Sequence, residues 1–369
     1  MASPERLPAG FDAAALAAAR LPWGNLNVTP GSPRSPVILT RLLAYRNFAG
    51  LPFFASAPPN LAEAAADRAR DHIARAGGPA PMRLAECQPR IIRLLREREI
   101  LPWRALALPG KKASKRLSVA ADGSSWTLAN EGEHLTFGRV LPGCPEASAA
   151  AFPDPQESPS SPWARSPAYG FLSSDPGRLG PAVAVEQILH LPGLALARLL
   201  PAARNLLAVS GMSFAPAMPS RVSFPGPADA GLFRVGSRGR LGHTPEQAYA
   251  DHMHALTPVL EREILSRHEC LAKHPKRLEA RVAQAMEVLS TSKSIPHPDF
   301  LAATSLARLG AALGLLPPEF EGTAEYLRVT VASGHLAVSS GGELSQEDED
   351  FKRANVVRSS LENLRGIGT

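Results

Sequence analysis

A mixed helix-and-sheet domain followed by a helical one is the architecture this sequence predicts, and three features carry it. Residues 60–76 (NLAEAAADRARDHIARA) show helical spacing with Asn60 as the expected N-cap, and 88–101 continue in the same way. The period then changes. The segment 116–141, RLSVAADGSSWTLANEGEHLTFGRVL, alternates apolar and polar residues about Asp122 and Gly123, the pattern of a hairpin. From 245 onward helical spacing returns almost to the end, in 245–274, 277–293, 299–316 and 346–364.

Between these blocks, strands are expected at 168–173 (AYGFLS), 205–210 (NLLAVS) and 231–236 (GLFRVG), with a helix over about 181–199. The stretch 145–168 is too rich in Pro and Ser for regular structure and reads as a surface loop or flexible insert. No internal repeat recurs at a fixed period.

The chain has 369 residues, 44% of them apolar and 20% charged, enough for two domains and a sizeable core. Its net charge of +6 is spread along the chain rather than gathered in a patch, so no direct nucleic-acid contact is expected. The compact basic run KKASKR, 111–116, precedes the hairpin and reads as a solvated loop. Three cysteines, Cys87, Cys144 and Cys270, are too far apart and odd in number for a disulfide framework or a CxxC zinc site, so a reducing cytoplasm is the expected compartment. The first residues lack the long apolar core of a signal peptide, and nothing approaches 18 apolar residues without a charge, so no membrane association is expected.

Several motifs, taken in order, carry a resemblance. LPWGNLNVTPGSPRSPVILTRLLAYRN (21–47) stands where the guanidino-phosphotransferase family has a W-x-x-G-x-G-P lead and SSRIRLARN. NEGEHLT (130–136) matches NEEDHLR, and FLSSDPGRLGPA (171–182) followed by HLPGLAL (190–196) echoes Y-L-T-x-C-P-T-N-x-G-T. VGSRGRLGHTPE (235–246) matches the segment IS-N-x-x-x-LG-x-[ST]-E. In the tail, DFLAATSLARLGAALGLL (299–316) and EDEDFKRANVVR (347–358) resemble elements of the bacterial protein arginine kinases, the second being their RDxxRA element. The collinear set covers about residues 22–364.

This resemblance implies an α+β fold, a guanidino-kinase-like antiparallel sheet flanked by helices and followed by an all-helical C-terminal domain. It divides the chain into an N-terminal extension, 1–35, a catalytic-type domain, 36–269, with its insert at about 145–168, and a helical domain, 270–369. It also implies ATP and Mg as ligands, a clamp of arginines gripping phosphate oxygens, and a carboxylate that orients the acceptor guanidinium and takes its proton.

Position by position, the machinery is depleted. Nucleotide-binding candidates by resemblance are Arg41, Arg98 and His134. The other clamp arginines are replaced by Leu43, Thr136, Ala184 and Ser210. Of the catalytic positions, Glu131 is kept, the second carboxylate has become Gly132, and the family cysteine is Asp175. Glu133 is one place from the lost carboxylate; on a regular strand it faces the other side, and only a local bulge would let it substitute. Glu186 is an added acid where the family has R-A-S-V. In the phosphoarginine pocket, Asp350 and Arg353 remain but the first Arg is Glu349. Arg46 has a structural role by the same resemblance.

Losing one transition-state arginine costs ~10³ to 10⁵ in rate, so the expected function is that of a pseudokinase, a regulatory or binding partner in protein quality control. Partners implied by resemblance are a zinc-finger activator, a Clp-type ATPase and a heat-shock repressor; a homodimer stays open. The alternative is a working guanidino kinase with a rebuilt phosphate site, in which three or more of Arg178, Arg204, Arg234 and Arg238 converge with Arg41 on one cleft. His252, His254, His268, Cys270 and His274 have spacings that scatter them over helix faces, so no metal site is expected.

Overall fold

The computed structural model describes residues 11–23, 35–102, 114–146, 151–153, 161–217 and 231–366, with side chains to 363. Among them, eight strands form one antiparallel sheet. β1 (Val37–Arg46) lies near its middle, between β5 (Glu133–Pro142) and β8 (Val183–His190). Outward from β5 come β4 (Ser125–Glu131), β3 (Arg116–Val119) and β2 (Met82–Arg83); outward from β8 come β10 (Leu232–Arg238) and the edge strand β9 (Ser213–Pro216). β6 (Arg165–Ser166) and β7 (Gly170–Phe171) make a separate small pair.

The Asp122–Gly123 turn forms as expected. Gly123 takes a φ of +74°, a left-handed backbone that Gly adopts without a Cβ clash, and the Asp122 carboxylate accepts from the Ser124 N–H at 2.9 Å. Asn60 is not a cap: after the short α1 (Ala13–Ala18), α2 (Pro59–Arg75) starts ahead of it, because Pro at the first helical position gives up an N–H that would have no partner anyway.

Two assignments are exchanged. The expected helix at 181–199 is largely β8, a central strand buried on both faces, and only α4 (Pro192–Leu196) is helical there. The expected strand at 205–210 is the end of helix α5 (Leu200–Val209). A strand covered on both sides loses the period-2 signature, and a short apolar run fits either state. Of the strand expected at 168–173 only β7 forms. Much of the Pro/Ser-rich insert and residues 111–113 lie outside the described residues, but their inner ends are not solvated: Trp163 is buried, Lys115 pairs with Glu131, and Arg116 with Glu63.

α6 (Pro245–Lys273) opens with a capping box between Thr244 and Gln247 and lays Ala248 and Tyr249 over the sheet face made by Leu42, Ala44, Val183 and Val185. It runs unbroken to Lys273. Beyond it, α7 (Pro275–Thr291), α8 (His297–Ala312), α9 (Phe320–Thr330), α10 (Ser333–Ser339) and α11 (Gln346–Gly366) follow, and α7, α8, α9 and α11 bury a core around Leu289, Phe300, Leu327 and Val357. α10 docks on α3 (Pro89–Glu97), where the Glu97 carboxylate accepts from the Gly334 and His335 backbone N–H groups at 2.7 and 2.9 Å. No helix among the described residues is long and apolar enough to cross a membrane.

Candidate functional site

Strand register sets the site. Directly paired residues of antiparallel strands point to one face. Arg41 of β1 pairs with Glu186 of β8, which pairs with Gly236 of β10; two residues along, Leu43 pairs with Ala184, which pairs with Arg238. Tyr45 pairs with Thr136. The positions Leu43, Thr136 and Ala184, where the resemblance places lost clamp arginines, therefore share a face with Arg41. Ser210, the fourth, is the C-cap of α5. A cleft of about 760 Å³ opens there, lined by Tyr45, Arg178, Ala184, Glu186, Ser210 and Arg238 among others.

Glu186 stands between this cleft and two arginines. Its carboxylate accepts from Arg41 Nη1 at 2.8 Å and Arg234 Nη1 at 3.2 Å, while Arg234 also donates to Glu99 at 2.5 Å. Glu99 lies 3.8 Å from Arg41. Arg41 is 3% exposed and does not line the cleft. Burial alone raises the Glu186 pKa, but the two guanidinium groups overcome it and hold the carboxyl below its usual range. Arg234 is shifted up: burial opposes its charge, and Glu99 and Glu186 more than offset that.

Of the arginines that line the cleft, Arg178 and Arg238 are compensated, whereas Arg240 donates to the Ser210 carbonyl at 3.3 Å. Arg238 pairs with Asp175 at 2.8 Å; Arg178 lies 3.6 Å from both Asp175 and Glu133 and covers the Tyr45 ring at 4.2 Å. Burial drives the Tyr45 phenol up to about 12 against the pull of Arg178, so it is no base at neutral pH. Three of the four candidate substitutes, Arg178, Arg234 and Arg238, thus reach the face of Arg41, and Arg204 remains exposed on α5. Each meets a carboxylate: Arg41, Arg178, Arg234 and Arg238 face Glu99, Glu133, Asp175 and Glu186.

The remaining family positions are occupied by the fold. Gly132 turns β4 into β5 with φ +80°, close to Asn130 at φ +61°. The turn breaks strand alternation, so Glu133 is fully buried and accepts from Asn47 Nδ2 at 2.6 Å, the Ser173 hydroxyl and the Ser174 N–H. Three donors take most of the acceptor capacity of this fully buried carboxylate and hold it in the fold rather than toward the cleft. Glu131 pairs with buried Lys115. Asp175 caps a short 3₁₀ turn through the Gly177 N–H at 3.0 Å. His134 is buried: its Nδ1 accepts from the Phe48 N–H at 3.0 Å, so Nε2 carries the proton and donates to the Pro52 carbonyl at 2.9 Å. Arg98 is not at the cleft; its guanidinium holds the Ala19 and Arg20 carbonyls, both at 3.1 Å, and burial lowers its pKa to about 10. Arg46, fully buried, donates to the Tyr45 carbonyl at 2.8 Å and stacks on Phe171, a structural role.

In the tail, Arg353 is fully buried and donates to the Val331 and Ile295 carbonyls and to Asp350, with Glu349 at 3.7 Å. Asp350 and Arg353 therefore tie α11 to the α7–α8 and α9–α10 connections. His252 is a buried, satisfied side chain between Ser237 and Gln187, while His254, His268 and His274 are exposed. Among the described residues no three His, Cys, Asp or Glu side chains gather as metal ligands.

The residues present do not fit a magnesium–triphosphate group, because a phosphate chain reaching Arg41 or Arg234 would have to displace Glu186 from both. Glu99, which completes this network, carried no motif signal; its partner Arg234 lies 135 residues away in sequence.

The profile of the protein-arginine kinase McsB C-terminal domain matches residues 275–367. A protein-arginine kinase of Exiguobacterium sp. is 27% identical over 275 residues, 72% of this chain and 77% of that one. One from Bacillus velezensis is 26% identical over 348 residues, 89% of this chain and 91% of its own length. The chain is similar to the guanidino-phosphotransferase family. Within that family it is similar to the bacterial protein-arginine kinases. Among solved structures, a lombricine kinase superposes with a TM-score of 0.49 at 11% identity, covering 66% of this chain and 71% of that one.

Proposed function

We propose that this guanidino-phosphotransferase relative is a pseudokinase, a regulatory or binding partner in protein quality control rather than a phosphoryl-transfer catalyst. One observation carries the reading: Glu186 occupies, from inside the protein, the charges that a nucleotide phosphate would need, with Arg41 at 2.8 Å and Arg234 at 3.2 Å. Phosphoryl transfer depends almost wholly on uncompensated positive charge placed around the moving group. Arg41, Arg178, Arg234 and Arg238, facing four carboxylates, supply little of it, and Arg240 at the cleft wall donates to the Ser210 carbonyl. By family resemblance, the partners to test are a zinc-finger activator, a Clp-type ATPase and a heat-shock repressor.

The alternative, an active protein-arginine kinase with a rebuilt phosphate site, draws on the convergence of Arg178, Arg234 and Arg238 near Arg41. A calorimetric titration with Mg-ATP, with mass spectrometry for phosphorylated arginine on the same preparation, separates the two. No phosphoarginine is expected. Tight nucleotide binding accompanied by phosphoarginine product would establish the alternative, whereas binding without product would make the chain a nucleotide-sensing scaffold.

A further inference from the structure

Where α6 ends and α7 begins, a second cavity of about 270 Å³ is lined by Leu196, Arg198, Cys270, His274, Arg277, Leu278 and Arg281. Its basic side chains come from separate elements: Arg198 follows α4, His274 joins α6 to α7, and Arg277 and Arg281 stand one helical turn apart on α7. The lining contains no carboxylate, and among the described residues none of the three arginines has an ion-pair partner. In the large cleft, by contrast, Arg178 and Arg238 each meet an acid.

The arrangement is unfavourable without a counter-charge. Like charges at i,i+4 on a helix repel. Arg198 also holds φ +59° at the residue just after the α4 C-cap, where a helix end usually places Gly, and a side chain in that conformation costs roughly 1 kcal/mol. The N-terminus of α7, whose cap His274 makes no side-chain hydrogen bond, adds the positive end of a 17-residue helix.

We propose that this cavity is a binding site for a compact phosphate anion such as inorganic pyrophosphate. Planar guanidinium groups grip tetrahedral oxyanions bidentately, and three of them outmatch a singly charged ligand. The volume lies below the roughly 300–1,000 Å³ of sites for drug-sized ligands, which points to a small anion rather than a whole nucleotide. Since α4 and α6 pack on the sheet while α7 opens the helical part, an anion here bridges the two.

The test is a calorimetric titration of the full chain with inorganic pyrophosphate at low and at raised salt. Saturable 1:1 binding that weakens with salt is expected. Arg277→Gln with Arg281→Gln should lower affinity roughly tenfold or more, as two charge-assisted contacts are lost. Arg198→Gly should also weaken binding while leaving the unfolding midpoint equal or higher, because Gly suits that backbone; this variant tests the site even if the double variant fails to fold. Absence of saturable heat, affinity unchanged in these variants, or binding abolished instead by Arg178→Gln with Arg238→Gln in the large cleft overturns the proposal.

Discussion

Arg41 and Glu186 stand directly opposite each other on β1 and β8, with Nη1 2.8 Å from Oε2. A resemblance to kinases assigns Arg41 to a nucleotide phosphate, yet the strand beside it supplies the anion. The pair sits in the middle of the sheet, so its geometry follows from register rather than from a mobile loop. The Glu186 side chain is 27% accessible and that of Arg41 4%, so the acid is the member that touches solvent.

Glu186→Gln should therefore free Arg41 and Arg234 toward the cleft. Removing one member of a buried charge group leaves the others undercompensated, which costs about 1–3 kcal/mol, less than in a fully dry pair because Glu186 is partly solvated. Denaturant unfolding should show that loss, and titration with Mg-ATP should show tighter binding than in the parent chain. Weaker nucleotide binding in the variant would contradict the role given to Glu186.

Gly132→Glu restores a carboxylate at the family's catalytic position. A Cβ there meets nothing within 4 Å, so the penalty is conformational: φ +80° costs a non-Gly residue about 1–2 kcal/mol. Thermal unfolding should report that cost, with Gly132→Asn costing less because Asn tolerates left-handed backbone. Neither variant should yield phosphorylated arginine by mass spectrometry, since the clamp remains neutralised.

Gly138 lies across from Leu43, and its missing Cβ is what admits the Trp126 ring: a Cβ would fall 2.1 Å from Trp126 Cζ2. Gly138→Ala must push the indole aside, and Trp126 is also the ring beneath Arg41, 5.5 Å from its guanidinium carbon. Overpacking of this kind costs about 1–3 kcal/mol. A changed near-UV circular dichroism spectrum together with a lower unfolding midpoint is expected; an unperturbed spectrum would mean the ring does not lie on Gly138.

Local signals in the sequence were readable and distant ones were not. The Asp122–Gly123 turn and the long helices depend on neighbours within a few residues. β8 reads as a helix because VAVEQILH is buried on both sides, where alternation carries no information. At the site, the resemblance places lost arginines at Leu43, Thr136, Ala184 and Ser210, each visible from its own short motif. The fate of the surviving Arg41 is not visible in one: Glu186 reaches it across 145 residues, and Glu99, at the end of α3 with φ +58°, belongs to no motif. The same holds for Arg353, whose partners Ile295 and Val331 come from two separate connections.

Buried histidines give the protein a predictable response to acid. Gln187 offers His252 only its amide oxygen, at 3.2 Å, so His252 Nε2 carries the proton, and Nδ1 accepts from the Ser237 hydroxyl at 2.7 Å. Burial lowers the His252 pKa to about 3 and that of His297 to about 4. In the unfolded chain both titrate near about 6.5. Between those values the unfolded state binds more protons, so stability is fully present above about pH 6.5 and falls as pH drops toward the folded-state values. The slope is about 1.4 kcal/mol per pH unit for each such group. His190 and His335, also lowered by burial, steepen it. Urea unfolding between pH 7 and 5 should show stability decreasing with acid, and His252→Gln should flatten the curve by one proton's worth of slope. A stability that holds level or rises over that interval would mean that these side chains are open to water in the folded protein.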